Sequence, residues 1–174
     1  MRLFFALRPP RVAAGQLAAI ARTCAGQFGG QPSREETIHL TLAFLGDMTE
    51  AQISPLVENA QRLRLPPFDL DINCLGSWAH NRLLWAGCTA LPPELQRLAD
   101  SLHDLVREMD PGGKRRRFMP HLTLVRKLTV IGEELNMPKI EPIHWSCTGF
   151  VLVQSRLSAA PKFQAVSEFP LVVE

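Results

Sequence analysis

The tetrapeptide His39-Leu40-Thr41-Leu42 is spelled a second time as His121-Leu122-Thr123-Leu124, nearly half a chain away. With only 5 histidines in 174 residues, the two copies read as an internal repeat, and such a repeat implies two similar structural units. Each copy lies in a short apolar run that reads as a β-strand. Strand side chains alternate between faces. Ile38, Leu40, Leu42 and Phe44 are therefore assigned to a core face, as are Leu122 and Leu124. His39 with Thr41, and His121 with Thr123, fall on the opposite face. Each motif thus offers one imidazole and one hydroxyl on a rigid element.

Around the motifs, strands are expected at 2–7, 37–45, 68–72, 82–88, 143–153 and 163–173, and helices at 12–28, 49–65 and 92–109. Pro9 and Pro10 close the first strand, and Thr49 reads as a helix N-cap with Gln52 completing a capping box. Leu95, Leu98, Leu102, Leu105 and Val106 form the apolar stripe of the third helix. Helices alternate with strands, but strands also follow strands directly, which favours α+β with mostly antiparallel sheets. The expectation is one bilobal domain over 1–174, two similar lobes with outer helices facing across a central groove.

Composition narrows the class. Hydrophobic residues make up 46% and charged residues 21%, enough for an ordered core. A net charge of +2 does not by itself call for a nucleic-acid partner. Cys24, Cys74, Cys88 and Cys147 form no CxxC pair and match no zinc spacing, so they read as reduced thiols of a cytoplasmic protein. The apolar run after Met1 is too short for a secretory leader, and no run approaches the ~20 apolar residues of a membrane span. Neither a membrane nor a cofactor is expected.

Two histidines brought together suit in-line displacement at phosphorus. A neutral imidazole takes the proton of an attacking water while a protonated one gives its proton to the leaving oxygen. The two threonine hydroxyls donate to the non-bridging oxygens, where charge builds. Asp47 lies beyond the strand end and no third ligand stands at a metal-site spacing, so no metal is assigned.

Paired HxT motifs half a chain apart resemble the two-histidine phosphoesterase superfamily. RLFFAL at 2–7, HLTLAFLG at 39–46, RLLWAG at 82–87, FMPHLTLVR at 118–126 and SRL at 155–157 are similar to the bacterial and archaeal RNA 2′,3′-cyclic phosphodiesterases, also called 2′-5′ RNA ligases. The resemblance runs from Leu3 to about Leu171. It implies a bilobal α+β fold and metal-free opening of an RNA-terminal 2′,3′-cyclic phosphate to a 2′-phosphate, with ligation as the reverse step. His39 and His121 would be catalytic, His121 as base and His39 as acid, and Thr41, Thr123 and Arg126 would hold the phosphate. Met119, Gln154-Ser155-Arg156 and the lack of any Tyr, with Phe163 in the last strand, depart from the usual family pattern.

Strict alternation puts Arg126 on the core face with Leu124, where an unpaired guanidinium is costly. The strand must therefore end or bulge there, or Arg126 must reach the groove from its edge. Phe4 or Phe5 is a candidate base-stacking platform, only one of them facing the groove, and Phe118 is another. The run Lys114-Arg115-Arg116-Arg117 would attract an RNA backbone at the groove rim. The expected partner of this monomer is RNA with a 2′,3′-cyclic phosphate end, tRNA fragments included. The alternatives are a non-catalytic RNA- or nucleotide-binding module, or a phosphodiesterase of another cyclic phosphate or 2′-5′ oligonucleotide.

Overall fold

The computed structural model describes residues 1–113, 117–132 and 135–173. In chain order they form β1 (Arg2–Leu7), α1 (Arg11–Phe28), β2 (Gln31–Pro32), a 3₁₀ turn (Glu35–Thr37), β3 (Leu40–Asp47), α2 (Glu50–Gln61), β4 (Phe68–Ile72), β5 (Cys74–Trp78), a second 3₁₀ turn (Ala79–Asn81), β6 (Leu83–Gly87), α3 (Pro93–Met109), β7 (Leu122–Arg126), β8 (Ile143–Cys147), β9 (Gly149–Ser155) and β10 (Phe163–Pro170).

One antiparallel sheet runs β10-β9-β1-β3-β7-β6-β5, with β2 paired to β7; β4 and β8 form a separate ribbon. This is the mostly antiparallel α+β arrangement expected. The two lobes are halves of a continuous sheet, β10-β9-β1-β3 and β7-β6-β5, each with a motif strand at its inner edge. The halves pair at the seam through Leu40 and Leu122. Past that point β2 becomes the partner of β7, Gln31 opposite Arg126 and Pro32 opposite Val125. The motif strands therefore part directly beyond the motifs, and the groove opens where they separate.

The helices cross between the halves. α1 buries Ala13, Ala14, Leu17, Ala18, Ala21, Cys24 and Phe28, a stripe of helical period whose alanines permit close approach to the sheet. It packs on β2 and β7, whereas α3, with Leu95, Leu98, Ala99, Leu102 and Leu105 inward, packs on β3. Each half's helix thus covers the other half's motif strand. α2 starts at the expected box, where the Thr49 N–H donates to Gln52 Oε1 at 2.9 Å.

Several sequence expectations are corrected. The stretch 143–153 is two strands, not one. β8 alternates buried and exposed and pairs with β4, while β9 is buried through its middle and pairs with β1 and β10. The break comes at Thr148-Gly149, where a Cβ on Gly149 would lie 2.8 Å from the Phe169 carbonyl oxygen. The second helix stops at Gln61 rather than 65 and the last strand at Pro170 rather than 173. β5 escaped the reading because its Cys-Leu-Gly-Ser-Trp sequence shows no alternation, and all five residues are half-buried.

Candidate active site

The motif strands share a local defect. Pairing of β1 with β3 shifts between Phe5–Ala43 and Ala6–Thr41, leaving Leu42 as an extra residue. Pairing of β6 with β7 shifts between Leu84–Val125 and Trp85–Thr123, leaving Leu124 extra. Each HLTL therefore ends in a bulge, and the residues beyond it exchange faces. This corrects the placement of Phe44. It leaves the core face assigned to it, stands 52% exposed on the side of His39 and Thr41, and lies 6.0 Å from the Phe4 ring. The bulge in β7 likewise brings Arg126 to the side of His121 and Thr123, where it is exposed. Leu124 and Val125 stay fully buried. Gly30 permits this, because at φ +95° any Cβ there would meet the Arg126 carbonyl oxygen at 2.6 Å.

Extending the Leu40–Leu122 pairing by one residue each way sets His39 opposite Thr123 and Thr41 opposite His121. Both imidazoles are oriented in the same manner. His39 Nδ1 lies 2.8 Å from the Thr37 carbonyl oxygen and His121 Nδ1 lies 2.7 Å from that of Met119. A carbonyl only accepts, so each Nδ1 carries the hydrogen and each Nε2 remains available for chemistry.

The surroundings of the two rings differ. His39 packs between Phe4, 4.9 Å between ring centroids, and Phe163, edge-on at 5.0 Å. Desolvation there lowers its pKa from 6.5 to about 4, with Arg126, His121 and Lys162 adding repulsion and the Thr37 hydrogen bond opposing. His121 meets Trp78 edge-on at 4.6 Å. Its pKa is lowered as well, by desolvation first and by Arg126, against the Met119 hydrogen bond. Trp78 rests on Trp85, 5.5 Å between centroids. Trp85 in turn lies over Gly76, where a Cβ would sit 2.2 Å from the indole.

A small cavity joins the halves, lined by Ser33, Thr37, His39, Thr123, Arg126, Lys162 and Phe163, with His121 and Thr41 not among its lining residues. Ser33 fastens this corner. Its Oγ donates to the Thr123 carbonyl at 2.8 Å and its N–H to that of Leu124 at 2.7 Å. Among the described residues, no three His, Cys, Asp or Glu side chains group as a set of metal ligands. Nor is any helix of those residues long and apolar enough to cross a membrane.

The remaining candidates fall elsewhere. Phe5 is fully buried against Phe150 and Phe169, both centroids at 6.0 Å, so it is a core residue and no stacking platform. Phe4 faces the groove but is only 4% exposed, beneath His39. Phe118 turns its ring to His103 on α3 and packs on the core. Arg117 is exposed, and Lys114, Arg115 and Arg116 lie outside the described residues. Sequence reasoning passed over Ser33, Phe44, Trp78 and Lys162. Trp78, one of 3 tryptophans, carried the one compositional signal among these.

Comparison with known proteins matches residues 7–85 to the family of LigT-like phosphoesterases. The RNA 2′,3′-cyclic phosphodiesterase of Escherichia coli is 34% identical over 125 residues, 72% of this chain and 71% of that protein. The enzyme of the same name from Thermus thermophilus is 30% identical, with 98% of this chain and 90% of that protein covered. A crystal structure of E. coli LigT complexed with 3′-AMP superposes with a TM-score of 0.89 at 28% identity, covering 98% of this chain and 97% of that one.

Proposed function

Because the chain belongs to the LigT-like phosphoesterase family, we propose that it is an RNA 2′,3′-cyclic phosphodiesterase, opening the terminal ring to a 2′-phosphomonoester with its paired HxT motifs and without a metal. The observation that carries this reading is the matched pair of imidazoles on adjoining motif strands, each with Nδ1 tied to a carbonyl two residues upstream, beside a cavity in which His39 and Thr123 meet two cations. Solved complexes of E. coli LigT with 3′-AMP and with phosphate support a nucleotide phosphate as the class of ligand.

The phosphodiester anion enters the cavity beside Arg126 and Thr123, with Thr41 on the adjoining motif strand. His121 Nε2 takes a proton from water as its oxygen bonds to phosphorus. The P–O3′ bond breaks, and His39 Nε2 delivers a proton to O3′. His121, the more open ring, suits water activation, and His39, enclosed by Phe4 and Phe163, protonates the leaving oxygen away from bulk solvent. Both imidazoles are neutral in the free protein at neutral pH, so the substrate anion must offset the desolvation of His39 and raise its pKa. Arg126 and Lys162 repel a divalent cation, and the hydroxyls and guanidinium stabilise the charge it would otherwise meet. The same displacement with a 5′-hydroxyl in place of water, O3′ again leaving, would join RNA ends through a 2′-5′ linkage.

The deciding experiment is incubation in EDTA with a short RNA ending in a 2′,3′-cyclic phosphate. The expected product is the 2′-phosphate. A 3′-phosphate would reverse which oxygen leaves, and RNA bound without product would overturn the enzymatic reading.

A further inference from the structure

Arg126 is one of two cations lining the cavity; Lys162 is the other. We propose that Lys162 is a second phosphate-binding residue, whose ammonium meets the charge the phosphoryl group gains as the ring opens, rather than the RNA backbone leading up to it. This inference rests on the reading of the site as a phosphodiesterase centre.

The placement is built in. Lys162 immediately precedes β10, and its carbonyl accepts the Arg156 N–H at 2.7 Å, closing the β9–β10 hairpin. The next residue, Phe163, is wedged against His39 and lies 5.6 Å from Phe4. The backbone at 162 is thus held on both sides, and the Lys162 ammonium stands 5.4 Å from the Phe163 ring centroid, within cation–π range. Among the described residues, no carboxylate comes within ion-pair distance of it. Arg8, by contrast, is engaged by Glu168 of β10 at 2.6 Å. Lys162 is therefore a cation without an acidic partner, facing a cavity shared with Thr123, Arg126 and His39. Its field, with that of Arg126, also disfavours the imidazolium of His39.

The reaction supplies a use for it. The cyclic phosphodiester carries one negative charge. Addition of water builds a second on the phosphoryl oxygens, and the product is a phosphomonoester whose second proton is mostly lost at neutral pH. One guanidinium matches the first charge and an ammonium the second.

The test compares Lys162→Met and Lys162→Arg with the unaltered protein, using calorimetric binding of inorganic phosphate and turnover of two substrates, a cyclic-ended RNA and a mononucleoside 2′,3′-cyclic phosphate. Lys162→Met is expected to weaken phosphate binding about tenfold and to lower kcat/KM about tenfold on both substrates, as loss of a charge-assisted hydrogen bond does. Product inhibition by the 2′-phosphate should weaken more than KM rises, and the acid limb of kcat/KM should move to higher pH. Lys162→Arg should restore most of the loss. Unchanged phosphate affinity and turnover would make Lys162 a solvated surface residue. A loss confined to the RNA substrate would place it on the RNA backbone, and Lys162→Arg failing as badly as Met with a lowered Tm would make it structural. Each of these overturns the inference. Phosphate binding that depends on Lys162 in a protein that opens no cyclic phosphate would instead sink the phosphodiesterase reading.

Discussion

The two halves of the site begin from the same four residues and end unlike. In both, a bulge follows the motif, and in both a carbonyl two residues upstream takes the Nδ1 hydrogen. What differs is the residue delivered by the bulge, Phe44 in one half and Arg126 in the other, and the ring packed on the histidine. Phe4 and Phe163 enclose His39, whereas His121 has Trp78 at one edge. A repeated sequence thus sets a repeated backbone, while the environment that tunes each proton carrier comes from strands outside the repeat. On the proposed mechanism, this is how one motif would serve as both acid and base.

The largest expected effect tests what the halves share. His39→Ala and His121→Ala should each lower kcat by about 10³-fold or more, the scale of a lost proton-transfer group, with thermal unfolding still cooperative. Steady-state turnover of a cyclic-ended RNA measures it, and substantial activity in either variant would break the two-histidine account. Next come Thr41→Val and Thr123→Val. Each should cost about 10²-fold in kcat, as removal of one donor to a developing oxyanion does, and an unchanged kcat would remove that hydroxyl from the phosphate site.

Stability against pH sharpens the difference between the halves. The pKa of His39 falls from 6.5 unfolded to about 4 folded, so the unfolded chain binds the proton first. The associated stability is fully present above pH 6.5 and is lost as pH falls towards 4, by no more than about 3 kcal/mol. Urea unfolding of His39→Gln should show a visibly flatter pH dependence across that window, and His121→Gln a change in the same direction. An unaltered pH dependence in His39→Gln would remove the desolvation of that ring from the account. The smallest effect is expected at Trp78→Leu, a loss of about fivefold in kcat from a loosened His121 ring, on the scale of one aromatic contact. A larger loss at Phe163→Leu than at Trp78→Leu would be consistent with the tighter enclosure of His39.

Much of this was legible in the sequence. The doubled HLTL gave two halves, and alternation set His39 with Thr41 and His121 with Thr123. The cost of burying Arg126 already called for a strand end, a bulge or an approach from the groove edge, and the bulge is what the structure shows. The same inference was open for Phe44 but had no force there, because an aromatic ring is at home on a core face and raises no conflict. Ser33, Trp78 and Lys162 stayed hidden for another reason. They reach the site through pairing of β2 with β7, of β5 with β6, and through the β9–β10 hairpin, contacts between segments distant in sequence that no local periodicity encodes. The strand break at Gly149 depends likewise on the approach of Phe169.

The most direct test of the asymmetry is a ¹⁵N NMR titration of the histidine rings in the free protein. Both rings should show the Nδ1–H tautomer, with His39 protonating near pH 4 and His121 below its ordinary 6.5. A hydrogen on Nε2 in either neutral ring would contradict the shared orientation of the two histidines, and a His39 that protonates at pH 6.5 or above would contradict its enclosure by Phe4 and Phe163.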